Sequence, residues 1–268
     1  TATVTLTNGV EMPRLGLGTY KSTEGGDVER SVTAALGLGY RSIDTASLYG
    51  NETGIGAAIA ASGVPRSEIF LASKVWNDEQ GFDQTLAAFE RSLTRLGTDY
   101  LDLYLVHWPR EQTPDTWRAL EHLYAEGSVR AIGVCNHLEH HLEALRAVAD
   151  VPPMVDQYEF HPWLQQPSLR EYCAAHDTVV EAWAPLMKGR VGHVPELVAI
   201  ASAHGKSPAQ VAIRWLLQLG VVTIPKSVHP GRVAENADVF DFALADEEMA
   251  TIATLDRGYR FGPEPDRG

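Results

Sequence analysis

The chain has 268 residues, 44% of them hydrophobic, which is ample material for one sizeable core. Its 22 basic and 35 acidic residues leave a formal net charge of −13, which argues against nucleic acid or an anionic membrane as partner. Two cysteines, Cys135 and Cys173, form no C-x-x-C pair, so a disulfide framework is excluded and a reducing compartment, the cytoplasm, is expected. No apolar run reaches the roughly 18 residues of a membrane span, and the opening TATVTLTNGVEMPRLGLG lacks the regions of a secretory leader.

In chain order, the first signal is Asn8-Gly9 within VTLTNGVEM, an Asn-Gly turn between alternating residues that predicts a β-hairpin. Strands are then expected over 14–18, 40–44, 69–74, 100–107, 129–135, 154–157, 179–183 and 221–224. Helical patterns fill the gaps at 28–38, 52–61, 82–96, 115–125, 138–148, 168–175 and 207–219, with an extra helix at 196–204 and a short one from Val233. Eight strand–helix repeats in about 250 residues fit a single (β/α)8 TIM barrel spanning residues 1–268, with the hairpin closing its N-terminal end. An open doubly wound sheet is the competing architecture. LGLGTY and GIGAAI both lack the third glycine of a dinucleotide fingerprint.

A barrel places its active site at the C-terminal ends of its strands. Those ends carry Asp44, Lys74, His107, then Cys135 with Asn136, Gln157 and Trp183. Each alone has an ordinary use, as a turn cap, a solvated end or a packing residue. Together they make a chemical set. An ammonium beside a phenol favours the phenolate, so Lys74, held by Asp44, would tune Tyr49 as a proton donor. His107 would hydrogen-bond a substrate oxygen. Protonating a carbonyl oxygen calls for a hydride donor, and a nicotinamide suits the indole face of Trp183 and the amides of Asn136 and Gln157. After the last strand, IPKSVHPGRVAEN places Lys226, Ser227 and Arg232 at a helix start, a phosphate-binding arrangement.

These stretches resemble the aldo-keto reductases: GLGTY, GYRSIDTASLYGNE, SKVWN, DLYLVHWP, IGVCNH, DQYEFHPW, EAWAPL and IPKSVHPGRVAEN. ENADVFDFAL, NHLEHHLE and KVWND are similar to the bacterial 2,5-diketo-gluconate reductases. The resemblance implies a catalytic tetrad of Asp44, Tyr49, Lys74 and His107. It implies NADPH across the barrel mouth, held by Asn136, Gln157, Trp183 and Leu186, with Lys226, Ser227, Val228 and Arg232 at the 2′-phosphate and Glu235 and Asn236 at the adenine. Tyr20, Trp76, His107 and Trp108 would line the substrate pocket. Three positions depart from the pattern: Cys135 for a usual Ser, Asp156 for a usual Asn, and His229 where Arg is common, which leaves room for NADH as a weaker cofactor.

The expected activity is NADPH-dependent reduction of an aldehyde or ketone, such as a sugar-derived ketone or small α-dicarbonyl, by a monomer. One rival is a Schiff-base aldolase using Lys74, which Asp44 opposes by keeping the amine charged. The other is a cofactor-binding sensor barrel without turnover. No metal is expected, since His140 and His141 sit on a helix without a third ligand in sequence. The tail RGYRFGPEPDRG is expected to cover part of the pocket.

Overall fold

A computed structural model describes residues 2–267. Two short strands, β1 (Thr3–Thr5) and β2 (Glu11–Pro13), pair antiparallel with Val4 opposite Met12. Asn8 and Gly9 make the turn between them, with Gly9 at φ +85° in the left-handed region that favours glycine. Asn8 also donates to the Arg130 carbonyl (2.8 Å), which pins the hairpin to the N-terminal end of the strands that follow. Leu6 and Met12 are buried there.

Eight parallel strands come next, each beside its neighbour in sequence: β3 (Leu17–Gly18), β4 (Ser42–Asp44), β5 (Phe70–Val75), β6 (Leu103–Val106), β7 (Ile132–Cys135), β8 (Val155–Glu159), β9 (Val179–Trp183) and β10 (Val222–Thr223). The first and last meet. Gly16 donates to the Thr223 carbonyl and Thr223 to the Arg14 carbonyl, both at 3.0 Å, and Gly18 bridges Lys226. A Cβ on Gly18 would stand 2.6 Å from the Ile224 carbonyl oxygen, so the seam requires glycine. The sheet is therefore a closed (β/α)8 barrel and not an open one.

The helices wrap the outside. Their apolar stripes explain why they form: α3 (Phe82–Leu96) buries Thr85, Ala88, Phe89, Ser92 and Leu96 at helical spacing and stops at Gly97 with φ +63°. α8 (Pro208–Gln218) starts with Ser207 and Gln210 capping each other and Pro208 at the first position.

Some boundaries differ from the sequence expectation. β3 and β10 each have two residues, because Pro225 offers no N–H to extend the ladder. The 138–148 helix narrows to α5 (Glu139–Arg146), since Leu138 is extended and its N–H caps onto His141 Nδ1. A helix over Asp246–Ala253 is not predicted by the sequence pattern; only Ile252 of it is buried, which leaves too little apolar periodicity. The expectation that His140 and His141 have no partner is also corrected: Asp266 Oδ1 lies 3.0 and 3.3 Å from their Nε2 atoms. Because His141 Nδ1 accepts the Leu138 N–H, its own ring proton sits on Nε2, facing Asp266. The trio reads as a hydrogen-bonded latch for the tail.

The tail has a second anchor. The buried Glu159 carboxylate accepts the N–H groups of Phe261 (2.6 Å) and Gly262 (3.0 Å) and pairs with His161 Nε2 (2.9 Å). Among the described residues, no helix is long and apolar enough to cross a membrane.

Candidate active site

β4 ends at Asp44 and β5 carries Lys74 beside it. Both are buried, Lys74 completely. Lys74 Nζ donates to Asp44 Oδ1 (2.7 Å), Asp44 Oδ2 (2.8 Å) and the Thr45 carbonyl (2.8 Å). It lies 3.4 Å from the Tyr49 hydroxyl. Burial by itself would push the amine down; the Asp44 charge reverses this and holds Lys74 well above its ordinary value. A permanently charged amine with that much hydrogen bonding is a poor Schiff-base nucleophile.

Tyr49 follows on the turn after β4, which Asn51 braces by accepting from Thr45 and donating to the Thr19 and Ser22 carbonyls. From the sequence, Lys74 is expected to lower the phenol. The net direction is upward, because burial outweighs the pull of Lys74 and Asp44 opposes it. Tyr49 is thus a proton-bearing phenol beside a fixed ammonium. His107 follows β6, and burial together with Lys74 keeps its imidazole neutral, well below the ordinary value. Its ring stands edge-on to Tyr49 (5.7 Å between centroids) and Trp76 (5.0 Å), while Tyr20 lies against Tyr49 at 5.0 Å.

The next wall comes from β7, β8 and β9. Asn136 takes a left-handed φ of +61°, which turns its side chain inward. It donates to the His107 carbonyl (3.0 Å) and Cys135 Sγ (3.1 Å) and accepts from Trp183 Nε1 (2.8 Å), fixing the indole. Gln157 donates to Asp44 Oδ2 (2.8 Å) and to Glu181 Oε2 (2.7 Å). Burial, reinforced by Asp44, pushes the Glu181 carboxyl up to about 8. Cys135 is engaged with Asn136 and, at 3.6 Å, Gln157, and burial drives its thiol well up. Asp156 does not line the cavity. Its oxygens are buried, and burial pushes the carboxyl well up against the smaller pull of the His137 backbone N–H.

A cavity of about 1240 Å³ joins these groups. Tyr20, Trp76 and Trp108 line one end, Trp183 and Leu186 its middle. The far end is formed by Lys226, Ser227 and Val228, with Arg232, Glu235 and Asn236 of α9 (Pro230–Ala237). The first turn of α9 has no side-chain cap; Pro230 has no N–H and the Arg232 N–H goes to the His229 carbonyl (3.0 Å), which leaves the Gly231 N–H for an anion. Every site residue named from sequence borders this cavity except Lys74, which lies behind Tyr49. Sequence reasoning missed Glu181, which reads as one polar residue inside an apolar strand. It anticipated a tail cover but no residues in it; Phe261, Gly262 and Pro263 line the wall. A Cβ on Gly262 would collide with the Trp183 ring edge, so glycine lets the tail lie against the indole. Gly268 falls outside the described residues.

A family model, "Aldo/keto reductase family", matches residues 14–257. The chain belongs to the aldo/keto reductase family. It is 56% identical to glyoxal reductase of Bacillus subtilis (strain 168), covering 98% of this chain and 96% of that protein. It is 50% identical to the 9,11-endoperoxide prostaglandin H2 reductase of Trypanosoma cruzi (strain CL Brener), covering 98% and 94%. Among solved structures, MGS-M4, an aldo-keto reductase from a Medee basin deep-sea metagenome library, superposes with TM-score 0.97 at 46% identity over 99% of both chains. A point mutant of Gox0644 in complex with NADPH gives 0.94 at 43% identity, over 99% and 97%. As a member, this chain is an oxidoreductase.

Proposed function

We propose that this chain reduces small, oxygen-rich aldehydes and ketones with NADPH, using Asp44, Tyr49, Lys74 and His107. The observation that carries the reading is the Lys74 ammonium joining Asp44 to Tyr49 on one wall of a cavity whose far end is basic. The cofactor fits the residues present. Trp183 offers a fixed flat face, Asn136 and Gln157 offer amide groups, and Lys226, Arg232 and the Gly231 N–H at the start of α9 suit phosphate. When bound, NADPH supplies the hydride. Tyr49 gives the substrate oxygen its proton, and Lys74 compensates the charge left on the phenolate. The neutral His107 orients that oxygen by hydrogen bonding. Trp76 and Trp108 exclude water.

The glyoxal reductase relative and the mix of indole walls with Tyr20, Tyr49 and His107 support α-dicarbonyls and polyhydroxy ketones as substrates. Tyr49→Phe should cut turnover by about 10²–10⁴-fold while NADPH titrates as in the wild type. Retention of more than about a tenth of the turnover would assign the proton to another group. A polyhydroxy ketone should show higher kcat/KM than a plain aliphatic ketone of equal length, because polar groups left unpaired discriminate more strongly than a missing methylene. Equal rates would reduce the pocket to an apolar slot.

A further inference from the structure

Gln157 is tied at both of its amide hydrogens. One goes to Asp44 Oδ2 at 2.8 Å and the other to Glu181 Oε2 at 2.7 Å. All three side chains are buried, and Gln157 and Glu181 are direct neighbours across β8 and β9. A side-chain amide has only two N–H groups and one carbonyl oxygen. With both donors committed to carboxyl groups, the carbonyl, which has two lone pairs and accepts a long contact from Cys135 Sγ at 3.6 Å, is what Gln157 can show a ligand in the cavity. Asn136 is similarly committed: its NH2 goes to His107 and Cys135, and its oxygen accepts from Trp183 Nε1, so a ligand meets Asn136 only at the second lone pair of that oxygen. We infer that Glu181 is a positioning residue, which locks the Gln157 amide with its oxygen toward the cavity and so makes this part of the site an acceptor for an N–H of the bound cofactor.

Asp44 alone would not do this. It accepts only one of the two hydrogens, and an amide held at one hydrogen can still swing the other into the cavity. Glu181 removes that freedom. Its surroundings suit the role. Asp44, Lys74 and Cys135 face the same buried space, and the carboxyl, held up by burial and by Asp44, adds no second full negative charge beside Asp44 at neutral pH. Protonated or not, its Oε2 can accept from Gln157. The group that fits an acceptor here is the carboxamide NH2 of a nicotinamide, so the inference rests on the NADPH reading above.

The test uses two cofactors that differ in that NH2. NADPH has it; the 3-acetylpyridine analogue carries a methyl ketone and lacks it. Binding is followed by fluorescence titration of the full chain, with near-UV circular dichroism as the check on folding. The wild type should prefer NADPH over the analogue by about tenfold, the scale of one lost hydrogen bond with its partner left unsatisfied. Glu181→Leu should shrink that preference to below about threefold by weakening NADPH and not the analogue. Glu181→Gln, whose carbonyl can still accept from Gln157, should restore it. A purely structural role would lower thermal stability and leave the preference intact. If Glu181→Leu does not fold, Glu181→Thr, too short to reach Gln157, takes its place under the same criterion. A folded variant with the wild-type preference overturns the role of Glu181, as does a wild type that binds NADPH without preference. A wild type that binds no NADPH overturns the functional reading instead.

Discussion

Two buried carboxylates sit at opposite ends of the barrel, and they are built differently. Asp102, just before β6 at the N-terminal end, accepts from Arg66 (2.8 Å), Arg130 (2.8 Å) and the Leu71 N–H (3.0 Å). Both arginines reach solvent, the Arg130 side chain being 46% exposed. That network starts in the protein and ends in water. Asp44, at the other end, holds an ammonium that is itself wholly buried, and the ammonium's remaining neighbour is a phenol bordering a cavity. Asp102 is charge balance for its own sake. Asp44 and Lys74 hold a charge where neither partner can relax into solvent, which keeps it available for something arriving in the cavity.

Removing one cation from each end tests whether the two carboxylates differ in this way. Lys74→Met leaves Asp44 buried without its counter-charge, and chemical denaturation should show a loss of about 3–5 kcal/mol. Arg130→Ala leaves Asp102 with Arg66 and a backbone donor and removes a half-exposed group. It should cost under about 1 kcal/mol. Similar losses at both ends would mean that the buried pair is no more committed than the solvent-facing one.

The legible part of this molecule follows from the same contrast. In a barrel the last residue of each strand lies at the mouth, so Asp44, Lys74, His107, Asn136, Gln157 and Trp183 could be placed together by reading strand ends alone. The seam was legible less fully, because a two-residue strand closed by Gly16 and Gly18 carries almost no periodic signal. Glu181 was invisible. It lies inside VVEAW, and its meaning depends on Gln157 across the strand pair. Asp266 finds His140 across the tertiary fold, which no spacing rule reaches. The direction of the Tyr49 shift was misread for a related reason. Sequence names the charges, but the weight of desolvation against them is known only once the site is built.

The cavity rim carries a third kind of charge. Arg232 is exposed on the cavity rim, neither balancing a buried acid nor tethering a phenol. If it serves a phosphate, its effect should depend on the cofactor and not on stability. Arg232→Ala should weaken NADPH by about one to two decades, the worth of a charge-assisted contact of roughly 1.5–3 kcal/mol. NADH should change little, and the melting temperature hardly at all. Equal weakening of both cofactors, read by titration, would show that Arg232 does not read the 2′-phosphate. Lys226 and His229 would then be the next substitutions.

Stability should also tilt with pH, and the tilt belongs to the cavity end. Burial lowers His137 to about 3 and His107 well below its ordinary value, with a milder lowering at His141. Each binds more protons unfolded than folded below pH 6.5, so their contribution is complete above pH 6.5 and is lost as pH falls. Glu181 and Asp156 have the opposite sign. Their folded values are raised by burial, so their contribution is present below about pH 4 and is lost as pH rises through the folded values, about 8 for Glu181. Between about pH 4.5 and 6.5 the two sets oppose each other and stability should be nearly flat. Above about pH 6.5 the histidines are silent and the acids act alone, so unfolding free energy should fall toward pH 8, by at most about 1.4 kcal/mol per unit for each whole proton. Glu181→Gln removes the acid that titrates in this range and should flatten that fall. Arg130→Ala, at the other end of the barrel, should leave it unchanged. Urea titrations at pH 6.5, 7.25 and 8 decide the matter: a wild type equally stable at all three would mean that Glu181 does not hold its proton in the folded chain.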